Sequence, residues 1–241
     1  MMTVLRFLHA RLRYARLRGS PLAVLAYHGI APLDRVGDDL YTVTVRNFQA
    51  QVRMLTSWFS VISGTSLDIE ASKPRVLITF DDGLADNFAH AFPILKAAGA
   101  PAVFFISTGL ADTPGYLTWE QVRTMAGAGM LFGSHGVLHR DFGSLSESEA
   151  RNELTESQRA LTQQLGRPAE LFAYPFGNER NMREDDRPIL AACGYRYAFA
   201  FGGGAQHRVA DPLRIPRMMA VDVTAPTLLH AIITSCAGAR P

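Results

Sequence analysis

What most constrains this chain is a pattern that recurs along it: a short apolar run, a few polar residues, then apolar residues at helical spacing. Leu22–Tyr27 reads as the first strand, and Phe48, Val52, Leu55 and Phe59 follow with a helical period. Arg75–Phe80 (RVLITF) reads as a second buried strand, and Phe88, Phe92 and Leu95 mark a helix that Gly99 stops. Residues 102–106 form the third run. Thr118 with Gln121 has the form of a capping box, opening a helix to about Ala126. Residues 130–133 are the fourth strand. Ser146 with Glu149 is a second capping box, whose helix runs to Leu165 with Gly166 at C′. Residues 171–174, Tyr197–Phe201 and residues 213–219 complete the strands. One helix ends over 189–193 before Gly194, and the last starts with Pro226 at its first position.

Strands alternating with helices call for a parallel sheet. Seven such units in 241 residues predict a single-domain α/β fold, a deformed (β/α) barrel of about seven parallel strands. An open doubly wound sheet is the alternative. No glycine-rich phosphate turn follows the first strand, which counts against a nucleotide-binding Rossmann fold. Apolar residues at 48% are ample for a core, and the net charge of +2 makes no field for a polyanion, so no nucleic-acid partner is expected. Cys193 and Cys236 sit in apolar helical settings without metal spacing and read as two buried thiols of a reducing compartment, with a disulfide as the alternative.

The charge is unevenly spread. Arg6, Arg11, Arg13, Arg16 and Arg18 precede the first carboxylate, Asp34. The apolar run after them is too short for a signal peptide, and no stretch approaches the roughly 18 apolar residues that span a bilayer. Residues 1–20 are therefore read as a basic helix or extension and 21–241 as the catalytic domain. The expected location is the cytoplasm of a bacterium. The extension either packs beside the barrel or makes a peripheral contact with anionic lipid of the inner membrane.

Barrel enzymes build their sites from loops at the C-terminal ends of the strands. In this chain those ends carry His28, then Asp81-Asp82-Gly83, then His135 and His139, then Tyr174-Pro175-Phe176-Gly177, with Arg217 in the last strand. Two adjacent buried carboxylates are costly without a cation or a shared proton. The alternative use of that pair is an Asp-Gly turn with a helix N-cap from Asp82 or Asp86. In Ser134–His139 (SHGVLH) the histidines are four apart, as on zinc helices, but the glutamate that serves metalloproteases as base is absent. Adding Asp82 gives two nitrogens and one oxygen, with a position left open for water, and Asp81 is free to act as base.

TFDDG, then SHGVLH, then FAYPFG, in this order and at these spacings, resembles the polysaccharide deacetylases (carbohydrate esterase family 4, the NodB homology domain) over roughly residues 22–220. Tyr27-His28, LTWEQV at 117–122 and RIPR at 214–217 look like the branch containing biofilm-polysaccharide deacetylases. The resemblance implies hydrolysis of N-acetyl groups from a glycan or polysaccharide. It implies Asp82, His135 and His139 as ligands of a divalent metal, zinc first with cobalt or nickel as alternatives. It also implies Asp81 as general base toward a metal-activated water, and the backbone N–H of Phe176 as an oxyanion donor.

Two features depart from the family's commonest pattern. Many members carry an arginine at the position of Ala173, where it orients the catalytic aspartate; Arg217, before Arg214, is the candidate substitute. Many also draw a general acid from a late Leu-x-His motif. Leu228-Leu229-His230 resembles it but lies in an apolar helical pattern, so His28 is preferred as the acid. His207, close to the glycines at 202–204, reads as a solvated loop, with a substrate loop as the alternative. Trp119 is divided between stacking on a sugar and packing on the barrel, and Phe104, Phe105 and Phe172 read as core.

Three rivals remain in view. Haloacid dehalogenase-type phosphoryl transfer needs Asp-x-Asp, which the adjacent pair does not supply. A deformylase or deacetylase of a lipid-linked sugar fits the same site. A non-catalytic glycan-binding relative would be expected to have damaged ligands, and here all of them are present.

Overall fold

The computed structural model describes residues 13–15, 17, 19–35, 40–65, 67–69 and 71–239. In chain order the strands are β1 (Leu22–Tyr27), β2 (Gly29–Ala31), β3 (Thr42–Thr44), β4 (Ser60–Val61), β5 (Arg75–Phe80), β6 (Val103–Ile106), β7 (Leu131–Ser134), β8 (Leu171–Ala173), β9 (Tyr197–Phe201) and β10 (Ile215–Met219). Among the described residues seven of them, β1 and β5 to β10, close into a parallel barrel in the order β1-β5-β6-β7-β8-β9-β10 and back to β1. The seven-stranded reading holds, and the open sheet is excluded.

Closure is uneven, which is the deformation. β1 and β5 pair along their full length, from Leu22 opposite Arg75 to Tyr27 opposite Phe80, whereas β7 meets β8 only at Ser134 opposite Phe172. The short β4 and the separate β2–β3 pair fall in stretches too short for apolar periodicity to mark.

Side chains alternate across each strand. Leu22, Val24, Leu77, Val103, Phe105, Leu171, Tyr197, Phe199 and Ile215 fill the barrel interior as one cluster. Their neighbours Ala23, Leu25, Tyr27, Val76, Ile78, Phe80 and Phe104 face the surrounding helices. At the N-terminal end Arg75 plugs the interior: its guanidinium donates to the backbone carbonyls of Ser20, Leu67, Ile69 and His207. His207 therefore lies at the end opposite the βα loops, and its substrate-loop alternative falls away.

The helices are α1 (Val45–Trp58), α2 (Phe92–Ala97), α3 (Trp119–Gly127), α4 (Glu147–Leu165), α5 (Asp186–Ala192) and α6 (Ala225–Gly238). Phe48, Val52 and Leu55 form the buried face of α1. Both capping boxes form, at Thr118 with Gln121 and at Ser146 with Glu149, and Gly166 ends α4 with φ of 70°. Two details differ from expectation. A π-helical turn, Asn87–Ala91, precedes α2, so the helix through Phe88 and Leu95 is not continuous α. Pro226 is the second helical residue, because Thr224 is the N-cap.

The basic segment expected over 1–20 lies largely outside the described residues, as do Arg6, Arg11, Arg16 and Arg18. Arg13 donates to Thr234 Oγ1 at 3.2 Å, and Tyr14 donates to the Trp58 carbonyl at 2.5 Å. No described helix is long and apolar enough to cross a membrane. Cys193 is half-buried and Cys236 buried, both as free thiols.

Candidate active site

The inward register of β1, β5 and β7, carried one step past their C-terminal ends, and that of β10 within the strand supply the site. Val24 and Ala26 lead to His28; Leu77 and Thr79 lead to Asp81; Leu131 and Gly133 lead to His135; Ile215 is followed by Arg217 and Met219. These side chains form the top layer of the barrel interior, beneath a cavity of about 780 Å³. Tyr41, Asp82, His139, Phe176 and Phe201 also line it.

Adjacent residues in an extended strand point to opposite faces, so Asp81 and Asp82 could not both face the cavity if β5 simply continued. The backbone breaks the alternation. Asp82 takes φ of 71° and Gly83 φ of 78°, the left-handed region that an ordinary side chain enters only at a cost. His139 (φ 55°) and Phe176 (φ 61°) lie in the same region, so three of the four non-glycine residues with positive φ among the described residues belong to this site.

Asp81 is fully buried and held by Arg217, which donates from Nη1 to Oδ1 at 2.6 Å and from Nη2 to Oδ2 at 2.7 Å. Arg217 Nη1 also donates to Thr79 Oγ1 at 3.2 Å, and the guanidinium lies over the rings of Phe201, at 4.6 Å, and Phe105, at 5.5 Å. Burial pushes the Asp81 carboxyl upward, but the Arg217 charge and hydrogen bonds, together with the nearby His135 and His28, hold the group below the usual range. Arg214 is elsewhere, donating to Glu184 and to the Arg183 carbonyl.

Asp82 Oδ1 lies 3.4 Å from His135 Nε2 and 3.3 Å from His139 Nε2, and the three ligand atoms fall within 4.8 Å of one another. His135 Nδ1 donates to the Ala173 carbonyl at 2.7 Å, which in the neutral ring puts the lone pair on Nε2, the atom turned to Asp82. Asp82 Oδ1 is buried and accepts no hydrogen bond of normal geometry. Electron-pair donors converging without a proton donor between them suit a cation, so these residues fit a divalent metal. A proton is favoured at the same point. Burial pushes Asp82 up and His139 down, but the contacts reverse both: His135 and His139 lower Asp82, and the Asp82 and Asp81 carboxylates raise His139.

His28 Nε2 lies 3.9 Å from Asp81 Oδ2, and its ring packs against Phe201 and Tyr41. Burial lowers its pKa, and the Asp81 and Asp82 charges only partly offset this. The Phe176 ring packs edge-on to His139, with centroids 4.7 Å apart, and among the described residues the Phe176 N–H has no backbone acceptor. His230, on α6, lies outside the cavity lining; so does Trp119, at the start of α3, which packs on the outer core. Phe104, Phe105 and Phe172 are buried core.

The sequence thus pointed to most of the residues that meet here but not to Thr79, Tyr41, Phe201, Met219 or the Ala173 carbonyl. Inward alternation from Leu77 would have found Thr79. Phe201 is indistinguishable from core in sequence, and a carbonyl leaves no sequence signal.

YxkH of Bacillus subtilis (strain 168) is 27% identical over 196 residues, 78% of this chain and 67% of its own length. The poly-β-1,6-N-acetyl-D-glucosamine N-deacetylase of Staphylococcus aureus (strain MRSA252) is 24% identical over 76% of this chain and 69% of its own. Among solved structures, the Streptococcus pyogenes deacetylase PplD in complex with acetate superposes with a TM-score of 0.80 at 25% identity, over 89% of this chain and 99% of that one. IcaB from Ammonifex degensii shares the fold, with a TM-score of 0.73 at 24% identity over 92% of this chain and 99% of that one. The polysaccharide deacetylase profile matches residues 68–198, more than half of the chain, and the chain belongs to the polysaccharide deacetylase family.

Proposed function

We propose that this enzyme removes N-acetyl groups from an N-acetylated amino-sugar glycan. A divalent cation, zinc first with cobalt or nickel as alternatives, would be held by Asp82, His135 and His139. The observation that carries this reading is the separation of two adjacent carboxylates into two roles. Asp82 faces two imidazoles, while Asp81 is held apart by Arg217 and faces the same cavity.

A cation bound there supplies Lewis acidity, polarising the amide carbonyl and making water a stronger nucleophile. Asp81, kept ionised by Arg217, takes the proton from the attacking water; such base assistance is typically worth about 10²–10⁴-fold. The free N–H of Phe176 donates to the oxygen that becomes negative as the carbonyl turns tetrahedral. Loss of one such donor commonly costs ~3 kcal/mol in the barrier. The C–N bond breaks once the nitrogen is protonated. We assign that delivery to His28, whose Nε2 lies 3.9 Å from Asp81 Oδ2 on the same cavity; it receives the abstracted proton as the site tightens on substrate and passes it to the amine. Acetate and a free amino sugar leave.

The S. aureus relative named for poly-β-1,6-N-acetyl-D-glucosamine supports a glucosamine-type polymer as substrate. We also read residues 1–20 as a basic extension of a catalytic domain spanning 21–241, suited to anionic lipid; co-sedimentation of the full chain with anionic vesicles tests this. The activity is tested by measuring acetate and formate release from β-1,6-linked N-acetylglucosamine oligomers, chitooligosaccharides and lipid-linked sugars with added zinc, cobalt or nickel. Absence of metal-dependent acetate release from every substrate would refute the reading.

A further inference from the structure

The segment between the two histidines leaves β7 in a tight loop, with Gly136 at φ 77° and His139 at φ 55°. Its backbone N–H groups turn away from the sheet and cannot pair with a strand, so something else must accept them. Two are taken by one atom. Glu153 Oε2 accepts from Val137 N at 2.6 Å and from Leu138 N at 3.2 Å.

Glu153 is only 4% exposed, on the face of α4 turned to the barrel. Burying a carboxylate is costly unless hydrogen bonds satisfy it, and these two amides do so. One helical turn later Ser157 Oγ lies 2.7 Å from Ser134 Oγ, which accepts from Gly136 N at 3.1 Å. α4 thus grips the loop at consecutive residues. The fit is close: a Cβ on Gly136 would lie 2.9 Å from Glu153 Oε2.

The two histidines are fixed differently. His135 extends the inward register of β7 and is tethered by the Ala173 carbonyl. Among the described residues His139 has the Phe176 and His135 rings and Asp82 beside it but no hydrogen bond to a neighbouring strand like the one that holds His135, so its position depends on the loop backbone.

We propose that Glu153 is a positioning residue for the metal site, clamping the Val137 and Leu138 amides so that the loop presents His139 to the cation. The inference rests on the metal reading of Asp82, His135 and His139 made above. Residues behind the ligands of metal sites commonly affect affinity by about 10–100-fold when removed.

The test uses the full chain, metal-stripped, with zinc affinity measured by chelator competition and the visible spectrum of the cobalt-loaded protein as a second readout. Glu153→Ala is expected to bind zinc about 10–100-fold more weakly and to change the cobalt spectrum as His139 disengages. It should also lower kcat more than it raises KM. Glu153→Gln, whose amide oxygen can still accept from both N–H groups, should recover most of the lost affinity. If Glu153→Ala does not fold, Glu153→Asp withdraws the carboxylate by one methylene while keeping its charge, and should show the same weakening. A folded Ala or Asp variant with wild-type zinc affinity and cobalt spectrum would overturn the clamp, even if its melting temperature fell. Wild-type protein that binds no zinc, cobalt or nickel is a separate result. It would remove the metal reading and the clamp with it.

Discussion

Arg217 and Asp81 meet as a two-pronged pair, with Nη1 on Oδ1 at 2.6 Å and Nη2 on Oδ2 at 2.7 Å, both side chains essentially inaccessible to water. The two residues are 136 positions apart, yet each simply continues the inward register of its strand. The guanidinium lies over the Phe105 and Phe201 rings, so the planar charge has partners on its faces as well as its edge. A carboxylate held by both oxygens has one orientation and stays ionised, as the base role proposed for Asp81 requires.

Replacing Arg217 by lysine keeps the charge and removes the fork. We expect Arg217→Lys to fold and to lose about 10²-fold in kcat, since small misplacement of a reacting group costs this much. Arg217→Ala should also destabilise the fold by about 3–5 kcal/mol, because it leaves a buried carboxylate unpaired. Urea unfolding and acetate release measure the two effects separately. An Arg217→Ala enzyme with unchanged turnover would remove the residue from the mechanism.

Metal removal should separate chemistry from fold. The barrel core is apolar and closed without any contribution from the three ligands, so dialysis against a strong chelator should abolish acetate release while far-ultraviolet circular dichroism stays unchanged. Zinc, cobalt or nickel should restore activity. Full turnover in the stripped protein would contradict the cation assignment.

The chain's legibility follows from where its information is local. Apolar runs bounded by polar residues marked the seven barrel strands to within about two residues, because a strand buried on both faces must be apolar throughout. β2, β3 and β4 were not legible: two or three residues carry no period. For the site, TFDDG and SHGVLH marked through residue type the carboxylates and imidazoles that the fold brings together. What they could not announce was orientation. That Asp82 faces the same cavity as Asp81 depends on its left-handed backbone, and a residue of that type does not declare its φ. Pro226 illustrates a smaller limit, since Thr224 moved the helix start by one residue.

Gly133 tests how the barrel interior supports the site. It faces inward on β7, where a Cβ would come within 2.6 Å of Phe105 Cε1 and 2.7 Å of the Leu171 carbonyl. The carbonyl belongs to β8 and cannot retreat, so the Phe105 ring must move, and Arg217 lies over that ring. Gly133→Ala is expected to cost about 1–3 kcal/mol in urea unfolding as overpacking. It should also lower kcat in the fraction that remains folded. A variant as stable and as fast as wild type would mean that the interior has slack there.

The two aspartates give the sharpest separation of roles, because asparagine is nearly isosteric with each. In Asp81→Asn the side chain can no longer take a proton, so kcat should fall about 10²–10⁴-fold while zinc affinity in a chelator competition stays near wild type. In Asp82→Asn the oxygen facing His135 and His139 loses its charge, so zinc affinity should fall first, and raising the zinc concentration should recover part of the activity. Added zinc should not rescue Asp81→Asn. If instead the Asp81 variant lost zinc and the Asp82 variant kept it, the assignments of base and ligand would have to be exchanged.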